Sequence, residues 1–174
     1  MSIKKIKILG LIIAFILCFQ LHSLFEMFPN FISSIFLPVN ESIWEHMKIL
    51  FGSMMISSVI QKLIVIWKKL DYKNICFSNF LGAISSIPIF LIMFLPVYAL
   101  IGENMVVTII IMFIALAISE YIAYIVMKMD DFNLENFTIL FVLGVYIIFG
   151  LLTYFPLQFD LFQDPKTLEY GISK

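Results

Sequence analysis

Apolar residues along this chain run in long unbroken stretches and do not alternate with polar ones. Five stretches, 6–28, 49–67, 80–101, 105–127 and 137–157, each approach the roughly 20 residues that carry a helix across a bilayer. Polar or turn-forming clusters bound them: Pro29-Asn30, Lys68-Lys69-Leu70-Asp71, Gly102-Glu103-Asn104, Lys128 to Glu135, and Asp160 onward. Strands of a membrane barrel alternate apolar and polar positions, so the continuous runs exclude that class. The pattern predicts an all-α integral membrane five-helix bundle over 1–174. Its helices fall near 6–28, 42–68, 80–101, 105–127 and 137–157, with a tail over 158–174.

Composition sharpens this picture. Of 174 residues, 62% are hydrophobic and 13% charged, against about 25% charged in soluble domains. The chain has 11 lysines and no arginine against 12 acids, so it offers no basic face for nucleic acid. The expected environment is the lipid bilayer of the cell membrane, crossed several times; a second copy or another membrane protein is a possible partner. No nucleotide-binding loop or nucleophile elbow is present. Cys18 and Cys76 fall at different depths, one mid-span and one in a loop, so both read as free thiols.

Lysine placement sets an expected orientation. Lys4, Lys5, Lys7, Lys62, Lys68, Lys69, Lys73 and Lys128 fall on one side of a five-span bundle; Lys48, Lys166 and Lys174 fall on the other. Positive loops stay cytoplasmic, which puts the N-terminus inside and the C-terminal tail outside. The first stretch lacks a small-x-small cleavage site and reads as a retained helix. One short internal echo, Phe36-Leu37-Pro38-Val39 and Phe94-Leu95-Pro96-Val97, is followed by Glu45 and Glu103.

The densest polar run is Asn40-Glu41-Ser42-Ile43-Trp44-Glu45-His46-Met47-Lys48. Asn40 suits an N-cap, Ser42 with Glu45 fits a capping box, and Trp44 fits a headgroup-level anchor. His46 is not needed for capping, and a neutral imidazole ligates metals or carries protons. His22 and Glu26 stand one helical turn apart near the end of the first stretch. Antiparallel neighbours would bring His22, Glu41, Glu45 and His46 to one end of the bundle. Such a set can hold a divalent metal ion or do acid/base chemistry. Glu45, His46 and His22 are the candidate catalytic groups, with Asn40, Glu41, Trp44, Asp164 and Tyr170 as candidate binding residues. In the tail, Asp164-Pro165-Lys166-Thr167 predicts a turn, and Phe162 and Tyr170 predict that it folds back over the Glu41–His46 segment.

Glu120 is the most isolated acid, flanked by Tyr121 and deep in the fourth stretch. A Glu–Tyr or Glu–Ser contact would satisfy it, and a proton relay is the functional alternative. Pro88 and Pro96 interrupt the third stretch, where Ser85 and Ser86 can satisfy freed carbonyls. Gly144 and Gly150 suggest close helix contacts in the fifth.

The run from Pro38 to Lys48, preceded by His22 and followed by Leu161 to Gly171, resembles the signature of a bacterial family of small polytopic membrane proteins of unknown function. That family carries V-N-E-S-x-W-E-H-x-K and a D-P-x-T-x-x-Y-G tail, and the resemblance spans nearly the whole chain. Thr153-Tyr154-Phe155-Pro156 departs from it by lacking a histidine. The resemblance implies no activity, but it implies that these polar segments act together. Three functions stay open: an outer polar site for a cation or acid/base chemistry, a proton-coupled transporter using Glu120, and a non-catalytic assembly partner.

Overall fold

The computed structural model describes residues 2–102 and 104–172. Glu103 and Lys174, used above for the internal echo and the lysine count, lie outside them. Among the described residues the chain forms α1 (Ile3–His22), α2 (Leu24–Met27), α3 (Phe31–Phe36), α4 (Ile43–Trp67), α5 (Ile75–Ile101), α6 (Met105–Met127) and α7 (Thr138–Tyr154). Short 3₁₀ turns at Glu135–Phe137 and Asp160–Phe162 precede α7 and open the tail. Four segments are long and apolar enough to cross a membrane: α4, α5, α6, and the unit Glu135–Tyr154. The 20-residue α1, with Lys4, Lys5 and Lys7 near its start, is not among these four.

Several boundaries differ from the sequence expectation for local reasons. The stretch 6–28 is not one helix: α1 begins at Ile3 and ends at His22, and Ser23 breaks it before the single turn of α2. The supposed loop after Pro29 holds α3, started by a reciprocal cap in which Asn30 and Ser33 each accept from the other's backbone. Helix α4 starts as expected but is capped by Ser42, not Asn40. Helix α5 begins five residues before the predicted 80, because Asn74 adopts a left-handed φ of 54° and Glu135 accepts from the free N–H groups of Cys76 and Phe77. Cys76 is therefore in the first turn of a helix, where Lys62 bonds it. Ser85 and Ser86 donate to the carbonyls of Gly82 and Ala83, not to that of Ile84, which loses its partner because Pro88 has no N–H. The echoed F-L-P-V segments lie at a helix end and inside α5, so they do not form a structural repeat. Gly144 has open space beside it, whereas Gly150 takes Ile35 of α3 at van der Waals distance.

Helix α1 packs on α4 and α6, α4 on α5, α5 on α6, and α7 mainly on α3. Burial is inverted relative to a water-soluble bundle. Lys48, Ser53, Ser57, Gln61, Lys7 and Glu120 are inside, whereas Leu100 (84% exposed), Met105 (77%) and Ile92 (74%) face outward. Apolar exteriors of this extent suit lipid, where interior polar groups bond to one another. The α1–α4 seam follows from small residues. Gly10 accepts from Ser57 through its carbonyl at 2.8 Å, Ala14 is fully buried, and Cys18 reaches Ser53 at 3.2 Å. This antiparallel seam carries His22, at the end of α1, to the start of α4.

Candidate functional site

Where α1 ends and α4 begins, two imidazoles meet. His22 Nε2 lies 3.1 Å from His46 Nε2, and each lies 3.5 Å from Glu41 Oε2. His22, Glu41 and His46 each offer a ligand atom to this group. Zinc with bonds of about 2.0–2.1 Å sets the atoms of a tetrahedron about 3.3–3.4 Å apart. The three separations bracket that edge length. Two histidines and one carboxylate can thus hold one ion and leave a fourth position open, as catalytic zinc sites do.

Local bonds hold each donor. His46 Nδ1 lies 2.8 Å from the carbonyl oxygen of Ser42, which can only accept. Nδ1 therefore carries the proton, and in the neutral ring Nε2 keeps its lone pair toward the site. Glu41 precedes α4, so its side chain does not share the face of Glu45. Its backbone N–H donates to Asp164 Oδ2 at 3.2 Å, and its Oε1 meets Lys166 Nζ at 3.1 Å. All three groups keep access to the surroundings, with side-chain exposures of 45% for His22 and 30% for Glu41 and His46.

The tail folds over this end of the bundle as the aromatic residues suggested. Asp164 Oδ1 accepts from the backbone of Lys166 and Thr167, making the turn. Tyr170 pairs with Gln163 through the backbone, and Asn40 Nδ2 donates to Gly171 O at 2.8 Å. Gly171 has φ +69°, and a Cβ there would meet Thr153 O at 2.5 Å. Trp44 is not an isolated interface anchor: it stacks on Phe162 at 4.9 Å and packs edge-on against Phe149. Asn40, Trp44, Asp164 and Tyr170 thus belong to the scaffold that joins the tail to α4.

Glu45 faces away from the two histidines. It is 2% exposed; its Oε2 accepts from Val39 N (3.0 Å) and Lys48 Nζ (2.6 Å), and its Oε1 from Thr153 (2.8 Å). Lys48, fully buried, also donates to Ser34 O and Leu37 O. With both oxygens committed, Glu45 lies outside the ligand group, and together with Lys48 it joins α3, α4 and α7. Glu26, expected beside His22, is exposed on α2.

Glu120 lies in a different cluster. Its partners are Lys7 at 3.4 Å and Gln61 Nε2 at 2.8 Å, not the flanking tyrosine Tyr121, which is 62% exposed. In the sequence Lys7 reads only as a topology signal, and Gln61 and Asn79 belong to no motif. Their signal was a polar residue at helical spacing within an apolar run, with Ser57 and Gln61 one turn apart. Lys166 reads in the sequence as a turn residue and a charge, not as a partner of Glu41.

Comparison with curated proteins finds no match, and comparison with solved structures finds none. A family model does match, over residues 1–172. The chain belongs to the family of unknown function DUF6512.

Proposed function

We propose that this is a five-span protein of the cell membrane, with α1 as the additional span, that binds a divalent cation at its outer end and uses it for acid/base chemistry. The N-terminus is cytoplasmic, because Lys4, Lys5, Lys62, Lys68, Lys69, Lys73 and Lys128 gather at the end opposite His22. The observation that carries the proposal is the triangle of His22 Nε2, His46 Nε2 and Glu41 Oε2, with sides of 3.1, 3.5 and 3.5 Å. His22, His46 and Glu41 are the ligands. Glu45 acts as a positioning residue through its bonds to Val39 and Lys48.

An ion held by three protein donors keeps a position for water or substrate, lowers the pKa of that water, and polarises a bound carbonyl or phosphoryl oxygen. The chain's own residues supply the rest. Ser42 O fixes the His46 tautomer, Asp164 anchors the Glu41 backbone, and Lys166 pairs with the other Glu41 oxygen, Oε1. The site sits at the end of helices that fit a bilayer, so its substrate is a polar group presented at the membrane surface.

Cobalt(II) titration of the purified, metal-stripped protein tests this reading. A tetrahedral N/O site gives intense visible absorption that zinc abolishes by competition. No absorption change in the wild type, or the same change in His46→Ala, contradicts the proposal.

A further inference from the structure

About 22 Å along α4 from His46, at the other end of the bundle, four helices bury a second polar cluster. Ser57 and Gln61 come from α4, Lys7 from α1, Asn79 from α5, and Ser119 and Glu120 from α6. The bonds form a chain. Gln61 Nε2 donates to Ser57 Oγ (3.3 Å) and Glu120 Oε1 (2.8 Å), Glu120 Oε2 pairs with Lys7 Nζ (3.4 Å), and Lys7 donates to Asn79 Oδ1. Four buried atoms have no hydrogen bond: Gln61 Oε1, Asn79 Nδ2, Ser119 Oγ and Glu120 Oε2, the last held only by its ion pair with Lys7. Their residues are 1%, 3%, 0% and 4% exposed. A buried polar group without a partner costs about 1–3 kcal/mol.

The types of the unpartnered atoms select the ligand. Gln61 Oε1 and Glu120 Oε2 accept, Asn79 Nδ2 donates, and Ser119 Oγ does either. A bare metal cation wants acceptors alone and would meet the Asn79 amide protons and the Lys7 ammonium. Small neutral molecules that both donate and accept suit all four. The space is tight: a Cβ on Gly10 would lie 2.1 Å from Gln61 Nε2 and 2.7 Å from Glu120 Oε1. Water fits these terms, and buried waters make about three hydrogen bonds each.

We infer that this cluster is a water-binding site through which Glu120 exchanges protons with the N-terminal end of the bundle, with Lys7 as the connecting group. Lys7 and Glu120 are the titratable side chains that its bonds join. Transfer breaks one Nζ–H bond of Lys7 and forms one O–H bond on Glu120, leaving an amine and a carboxylic acid with no change in net charge. Hydronium at the N-terminal end then reprotonates the amine and is left as water. Lys7 stands about 6 Å, four residues, from the first residue of α1, so the distance to that end is short. Along the seam, the core residues Leu50, Phe51 and Met54 of α4 and Ala14 of α1 lie between the cluster and His46.

The test is the sign of a stability change together with direct detection of water. In a hydrated site Ser119→Ala removes a water partner and lowers the melting temperature; in a dry site it removes an unsatisfied hydroxyl and leaves the temperature equal or higher. In wild-type protein in nanodiscs, NMR exchange spectra are expected to show water cross-peaks at the Asn79 and Gln61 side-chain amides, weakened in Ser119→Ala and in Lys7→Met. A Ser119→Ala protein of equal or higher stability, or amides without water cross-peaks, overturns the inference.

Discussion

His46 Nδ1 donates to the carbonyl oxygen of Ser42, 2.8 Å away, and Ser42 is also the residue whose hydroxyl caps the same helix. One residue thus starts α4 and sets the ring nitrogen that faces His22. The polar run is both a helix start and a ligand support, and those two roles divide its residues by direction: His46 and Glu41 toward the α1 end, Glu45 and Lys48 toward α3 and α7.

That division makes the Glu45–Lys48 pair a stability element. Lys48→Met leaves a carboxylate 2% exposed without its cation, which costs about 3–5 kcal/mol. Glu45→Gln in the same chain removes the stranded charge while keeping an acceptor for Thr153, so the double variant recovers part of the loss. Thermal melts in detergent of the wild type, Lys48→Met and the double variant check this order.

Gly171 closes the tail. Alanine there meets Thr153 O and must hold a positive φ, a strain of order 1–3 kcal/mol. The expected result for Gly171→Ala is tail release: faster proteolysis after Tyr154 and a lower melting temperature, with the helix content kept. Limited proteolysis of both proteins is the measurement.

Lys7 and Glu120 are coupled across α1 and α6. Lys7→Met strands the Glu120 carboxylate, and Lys7→Met with Glu120→Gln costs less than the sum of the singles. A coupling energy of about 0.5–3 kcal/mol is expected from the double-mutant cycle. Additive singles would mean that the 3.4 Å pair contributes nothing beyond packing.

Lys166 behaves differently, because its side chain is 68% exposed. Lys166→Ala changes stability by less than about 1 kcal/mol. It also frees Glu41 Oε1 from a competing cation, so metal affinity rises. Calorimetric titration of zinc into both proteins checks the direction.

Much of this was legible in the chain. Continuous apolar runs mark the long helices, and α6 falls on the predicted 105–127. His46 is legible because capping does not need it, and His22 because it is an ionisable group near the end of an apolar run. Local features hid the rest. The break at Ser23 leaves no Pro or Gly signal, and α3 is too short for periodicity to detect. Glu45 shares a residue type with Glu41 and a helix with His46, yet side-chain direction, invisible in spacing alone, separates it from them. Lys7 reads as a topogenic charge until α6 places Glu120 beside it.

Metal content of the detergent-purified protein, wild type beside His46→Ala, tests the central claim most directly. Near-stoichiometric zinc or a similar divalent ion in the wild type, lost in His46→Ala at an unchanged melting temperature, is the predicted result. Wild-type protein that retains no metal after reloading would contradict it.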